Sequence, residues 1–175
     1  MTDKRKDGMP KGVVKESTSS HVPILRKAVE ILSPKSVLEF GCGQFSTLMF
    51  LDMGIEVTVI DEPGDWFNWI APLVPRAHNG IDEADTDQEF KLVFVDGSRR
   101  SRRPAIEWSL ERDDVQTIIY HDADDPTYNW PKTMPKGWHR TTYRHRTGRE
   151  TCMITRGDKP LFAGTVKDHV ISKIG

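Results

Sequence analysis

Three short apolar runs in this 175-residue chain end on a carboxylate: Glu39 in "VLEFGCG", Asp61 in "VTVID" and Asp96 in "LVFVDG". A fourth, "TIIYHD", ends on His121 and Asp122. Ionisable groups at the ends of buried strands cost folding free energy unless they bind or react there. Carboxylates accept hydrogen bonds from hydroxyls and attract cations, and an imidazole titrating near neutrality can take a proton from a substrate hydroxyl. Gly41 and Gly43 stand just after the first run. Glycine permits positive φ and a close backbone approach to a ligand, and a helix starting at Ser46 aims free N–H groups at the same place. An ordinary strand-to-helix turn has the same glycines, so the pair by itself leaves both readings open. Asp61, about 20 residues after the loop, is placed to accept from both hydroxyls of a ribose. Its structural alternative is a cap for the helix of "PGDWF", and Glu62 takes the ribose role if the strand ends one residue later.

Gln44 and Phe45 occupy the loop before Ser46, and no third glycine follows. A pyrophosphate loop wants that third small residue for tight helix packing, so a nucleoside without phosphates fits better than a dinucleotide. "SRRSRR", residues 98–103, places four arginines beside the strand ending at Asp96. Cations at a helix start oppose the macrodipole, whereas arginine pairs well with carboxylates and phosphates. Arg99 and Arg100 are therefore candidate substrate anchors. A solvated helix start, or pairing with the acidic run from Asp82 to Glu89, is the alternative.

These residues need a scaffold. "VPILRKAVEIL" has helical spacing, with Ser20 as its expected cap and Pro34 as its stop. "KSVLEF", "IEVTVID", "KLVFVDG" and "VQTIIYHD" read as buried strands, and "STLMFLDMG", "DWFNWIAPLV" and "RPAIEWSLER" as helices, the last with Pro104 in its first turn. A short strand near Ala77 or Ile81 is the only regular structure expected in the polar stretch that follows Pro75. "WHRTTYRHR" and "ETCMITR" form an exposed antiparallel hairpin, with Arg140, Arg144 and Arg146 on one face. The alternation predicts an α/β fold, a doubly wound and mostly parallel sheet with a C-terminal antiparallel hairpin. Residues 1–20 read as a flexible leader, 21–157 as the domain, and 158–175 as a tail whose structure the sequence leaves open.

Composition sets the boundaries. Net charge is −1, with 29% charged and 37% hydrophobic residues, so no global field favours nucleic acid or membrane. Cys42 and Cys152 make neither a disulfide framework nor a zinc motif, and no run is long enough to span a bilayer. A cytoplasmic setting is expected. Of the five tryptophans, most are expected in the core, with Trp130 the candidate for a substrate lid.

Taken in order, "VLEFGCGQFSTLMF", "VTVIDEPGDWF", "FKLVFVDGSRRSR" and "IIYHDADDPTY" resemble class I S-adenosylmethionine-dependent methyltransferases over roughly residues 35–130. The likeness is to a small branch with a GxG loop followed by Ser-Thr and an F-V-D-G-x-x-R motif. It implies a Rossmann-like methyltransferase fold and S-adenosylmethionine as cofactor. Glu39 would lie near the methionine amino group, and Gly41, Gly43 and Ser46 along the methionine and ribose. Asp61 would take the ribose hydroxyls, and Asp96 would sit at the sulfonium end. Asp82 is the candidate for adenine. Related O-methyltransferases hold magnesium between the fourth and fifth strand ends. Here Asp122-Ala123 lacks the amide ligand, with Asp124 or Asp125 as substitutes, so magnesium stays an open alternative and no metal ligand is assigned.

Asp96, His121 and Asp122 are the expected catalytic groups, and Arg99, Arg100 and Trp130 the expected substrate contacts. The expected reaction is O-methylation of a small or sugar-like acidic acceptor. Two alternatives stay open: an RNA or protein methyltransferase that uses the hairpin arginines on phosphates, and a binding module that keeps the fold without catalysis.

Overall fold

The computed structural model describes residues 10, 19–81, 88–128, 130–131 and 133–174. Asp82, most of the acidic run and most of the leader lie outside the described residues. The elements are α1 (Val22–Leu32), β1 (Ser36–Phe40), α2 (Ser46–Asp52), β2 (Glu56–Ile60), α3 (Asp65–Ile70) and β3 (Arg76–His78). They continue with β4 (Leu92–Val95), α4 (Arg99–Glu111), β5 (Thr117–Tyr120), β6 (Trp138–His145), β7 (Glu150–Arg156) and β8 (His169–Ile174). All eight strands form one sheet in the order β3-β2-β1-β4-β5-β7-β6-β8. The pairs among β1 to β5 are parallel, and those among β5 to β8 are antiparallel. This is the doubly wound sheet that the alternation of runs predicts.

Strand periodicity sorts the core into two layers. Val37, Val57, Val59, Leu92, Phe94 and Ile119 pack with α1, α2 and α3. Leu38, Phe40, Val93, Val95, Ile118 and Tyr120 pack with α4. Side chains two apart share a face. Glu39 therefore follows Val37 toward α2, while Asp96 and His121 follow Phe94 and Ile119 toward α1. Sheet order reverses between β1 and β4, and ligands in such sheets bind beyond the carboxyl ends at that reversal.

Four details differ from the sequence reading. The hairpin is not exposed: Tyr143 is fully buried, and β6 is flanked by β7 and by β8, which the tail supplies. The arginines of that hairpin do not form a free cationic face. Arg140 donates to the Pro131 carbonyl (3.2 Å), Arg144 pairs with Glu150 (2.6 Å), and Arg146 lies 3.9 Å from Asp168. Pro104 sits inside α4, which begins at Arg99, so the helix takes in the arginines. Ser20 does not cap α1: the N-cap is His21, with no side-chain cap bond, and the Ser20 hydroxyl meets His121. All five tryptophans contact core clusters, as expected for most of them. Among the described residues no helix is long and apolar enough to cross a membrane.

Candidate functional site

The carboxyl ends of β1 and β4 touch through glycine. Gly41 has φ of +86°, and a Cβ there would lie 2.2 Å from the Gly97 Cα. Only glycine allows both the conformation and the approach. Gly43 differs, because a Cβ added there would meet nothing within 4 Å. The space beside its backbone is open at the switch point.

Glu39 is fully buried. It accepts from the Ser46 hydroxyl and from the Thr47 hydroxyl at 2.6 Å, both in the first turn of α2. Thr47 in turn accepts from the Gly43 N–H (3.1 Å), so one network joins strand end, loop and helix. Burial outweighs the two donated hydrogen bonds and pushes Glu39 up to about 8. Asp61 closes the loop from β2: its Oδ2 accepts from the Cys42 N–H (3.0 Å) and its Oδ1 from the Glu62 N–H (2.8 Å). Glu62 accepts from the Ser98 hydroxyl (2.9 Å), tying β2 to the start of α4. Beside Asp61 opens a cavity of about 250 Å³, walled by Phe40, Ile60, Ile81 and Pro104, with Asn79, Arg100 and Ser101 at its polar edges.

The other half of the edge is a charged cluster. The Arg102 side chain, only 5% exposed, reaches Asp96 Oδ1 (2.8 Å) and Asp122 Oδ2 (3.5 Å). It also donates to the carbonyls of Gly97 (2.7 Å) and His121 (2.8 Å), and its guanidinium stacks 3.9 Å from the Tyr128 ring centre. His121 Nδ1 lies 3.5 Å from Asp96 Oδ2 and 3.6 Å from Asp122 Oδ1, while its Nε2 meets the Ser20 hydroxyl at 2.8 Å. Burial favours the neutral forms of Asp96 and His121. Their mutual attraction outweighs it, lowering Asp96 and raising His121 from their ordinary values. Asp122 has φ of +55°, turning the chain sharply out of β5.

Breaking this cluster at Arg102 should be costly. Arg102→Met leaves two carboxylates facing one another without their shared cation, and losses of about 3–5 kcal/mol accompany the removal of one partner of a buried ion pair. Urea denaturation reads it directly: an unchanged midpoint would contradict a structural role for the guanidinium.

Each expected site residue has a definite place. Glu39, Gly41, Gly43, Ser46 and Asp61 gather around one loop, and Asp96, His121 and Asp122 form the neighbouring cluster. Arg99 and Arg100 part company. Arg99 donates to the Thr127 carbonyl (2.8 Å) on the loop after β5, whereas Arg100 lines the cavity beside Asp61. Trp130 packs on Tyr120 with ring centres 4.3 Å apart and donates to the Asp122 carbonyl (3.3 Å). Magnesium between Asp96 and Asp122 does not fit, because the guanidinium already bridges both carboxylates and Ala123 offers no side-chain ligand. Asp124 and Asp125 serve the backbone instead: they accept from the N–H groups of Glu150 (2.9 Å) and Thr127 (2.8 Å).

His21, Asn79 and Arg102 went unassigned in the sequence reading, and Ser20 was read only as a helix cap. For Arg102 a signal existed, since Arg102, Ala105, Ile106 and Ser109 form one buried helical stripe. Asn79 is the first residue after β3 and lines the cavity beside Asp61. Ser20 and His21 carry no local signal, because their partners lie on distant strands.

No family model and no curated protein matches the sequence. Solved structures do match. The methyltransferase domain of bacterial CtHen1-C is 14% identical with a TM-score of 0.55, covering 82% of this chain and 100% of that one. The 23S rRNA methyltransferase ErmE is 16% identical with a TM-score of 0.53, covering 88% of this chain and 73% of that one. An RNA methyltransferase from Salinibacter ruber, in complex with S-adenosyl-L-homocysteine, is 12% identical with a TM-score of 0.50, covering 87% and 96%. The likeness is one of fold: this chain has the Rossmann-like methyltransferase architecture.

Proposed function

We propose that the chain is an S-adenosylmethionine-dependent methyltransferase acting on a hydroxyl of a small or sugar-like acidic acceptor. The observation that carries the reading is the unbroken row of polar strand ends at the switch point. Glu39 and Asp61 flank an open glycine loop, and Asp96 with His121 stands immediately beside it.

The residues present fit the cofactor. Glu39 is a buried carboxylate without a cationic partner among the described residues, suited to a methionine ammonium. Asp61 retains lone pairs for a ribose diol after accepting its backbone N–H groups. The cavity beside it offers apolar walls for a flat base, with the Asn79 amide for the base edge. The cofactor, when bound, supplies an electrophilic methyl group. The chain's own task is to position the acceptor and manage its proton. Holding a nucleophile in line supplies much of such a rate enhancement, and methyl transfer from a sulfonium consumes a cation, so added positive charge helps little. In the metal-free chain His121, oriented by Asp96, takes the acceptor's proton. Arg99, on the acceptor side, attracts an acidic group. The engaged arginines of β6 and its turn weigh against a nucleic-acid acceptor.

Calorimetry with S-adenosylmethionine and its demethylated product tests the reading. Both should bind one to one, and Asp61→Ala should weaken both by about 100-fold, the cost of losing two ribose hydrogen bonds to a charged acceptor. Unchanged affinity in Asp61→Ala would refute the ribose assignment, and no binding of either ligand would refute the reading. Absence of methyl transfer across a panel of hydroxylated acids, with binding intact, would instead support a non-catalytic module.

A further inference from the structure

His21 is the most conspicuous group that the proposed reaction leaves unused. It is 2% exposed, and neither ring nitrogen has a hydrogen-bond partner among the described residues. An unsatisfied buried polar group costs about 1–3 kcal/mol, which a bound water or an ion repays. The ring stands edge-on to His121, with centres 4.6 Å apart. One ligand atom each from His21, Asp96 and His121 lies within 4.8 Å of the others.

We propose that His21, Asp96 and His121 bind a divalent transition-metal ion, of the zinc or manganese kind. Two imidazoles and one carboxylate form a borderline donor set that suits such ions, whereas magnesium prefers oxygen ligands throughout. The details of the cluster agree. The gap of 3.5 Å between His121 Nδ1 and Asp96 Oδ2 is long for a hydrogen bond. It is close to the separation of about 3.4 Å between two ligands on one tetrahedral ion with bonds near 2.1 Å. In the tautomer with the proton on Nε2, the Ser20 hydroxyl 2.8 Å away accepts that N–H and leaves Nδ1 free to ligate, the usual outer hydrogen bond of a metal-bound histidine. Arg102 holds the other oxygen, Oδ1 (2.8 Å), so Oδ2 keeps its lone pairs. The three ligand atoms, within 4.8 Å of one another, must draw together toward the separation of about 3.4 Å that one tetrahedral ion sets. Asp96 keeps 24% of its side chain exposed, which gives an ion its way in. The site stands on these residues alone. With the ion bound, His121 is a ligand and no longer a base; the ion would instead ligate the acceptor oxygen and ease its deprotonation, a consequence that rests on the methyltransferase reading.

The test uses the full chain, stripped with chelator and titrated with zinc and with manganese at pH 8, without S-adenosylmethionine. The mildly alkaline buffer keeps protons from competing for the imidazoles. One ion per chain is expected, with His21→Ala weakening it by at least about 100-fold and His139→Ala leaving it unchanged. Absence of stoichiometric binding, or equal affinity in His21→Ala, would overturn the proposal. If His21→Ala does not fold, cobalt and histidine NMR on the wild type decide. Paramagnetic shifts of His21 and His121 that vanish in Asp96→Asn support the site, and unshifted signals sink it. Since no cofactor is present, a chain that binds S-adenosylmethionine but no metal refutes the metal site alone. A chain that binds metal but not S-adenosylmethionine supports the site and refutes the methyltransferase reading.

Discussion

Gly41→Ala should lower the stability of the folded chain by about 4 kcal/mol or more, placing it among the exceptional single substitutions. Two costs add. The residue has φ of +86°, a conformation that burdens any side chain with about 1–3 kcal/mol. Its new Cβ would also lie 2.2 Å from the Gly97 Cα and 2.6 Å from the Asp96 carbonyl carbon. Those atoms are backbone, so no side chain can rotate away, and relief requires β1 and β4 to part at the switch point. Gly43→Ala is the control, two residues on. With nothing within 4 Å of the added methyl, stability should change by less than about 0.5 kcal/mol, while affinity for S-adenosylmethionine falls because the methyl enters the open space. Urea midpoints at constant slope separate the two. Equal midpoints for Gly41→Ala and wild type would disprove the close contact of the two strand ends.

The second large effect is a pH dependence centred on Glu39. Its ordinary value is 4.5, and burial raises it to about 8 in the folded chain. Below pH 4.5 both folded and unfolded forms carry the proton, and the stabilising difference is fully present. As pH rises toward 8 the unfolded chain has released the proton while the folded chain still holds it, so stability is progressively lost, on the order of 4 kcal/mol over the window. Glu39→Gln, which keeps the shape and removes the titration, should flatten this slope and be the more stable form at pH 8. A slope identical to wild type between pH 5 and 8 would show that Glu39 is not held protonated. The same group links stability to the proposed ligand. A methionine ammonium placed beside Glu39 favours the carboxylate, so binding near pH 7 should release a proton. Calorimetry in buffers of different ionisation enthalpy reads that release, and Glu39→Gln should abolish it.

Much of the candidate site was legible because strand ends are local facts. Apolar runs of four to five residues that end on an acid read as buried parallel strands opening onto a polar edge. The strand ends that carry Glu39, Asp61, Asp96 and His121 follow from those runs, and the sheet sets all four strands side by side. The placement of α4 was read less well. Pro104 drew the helix start downstream, although an interior proline is tolerable when packing repays the lost hydrogen bond. The hairpin was read as exposed because its polar and charged residues alternate. In the fold Arg144 pairs with Glu150 and β8 takes up the outer edge of β6, which no local pattern announces.

The sequence by itself determined the alternation of elements, the faces of each strand and the row of ionisable ends, since all three depend on neighbours within a few residues along the chain. Only the tertiary structure decided which of four arginines turns inward, and that one cation bridges Asp96 and Asp122. It also brought Ser20 and His21 against a strand a hundred residues away. Those outcomes depend on desolvation and charge pairing between segments that meet only when the sheet closes, and linear spacing carries no record of them.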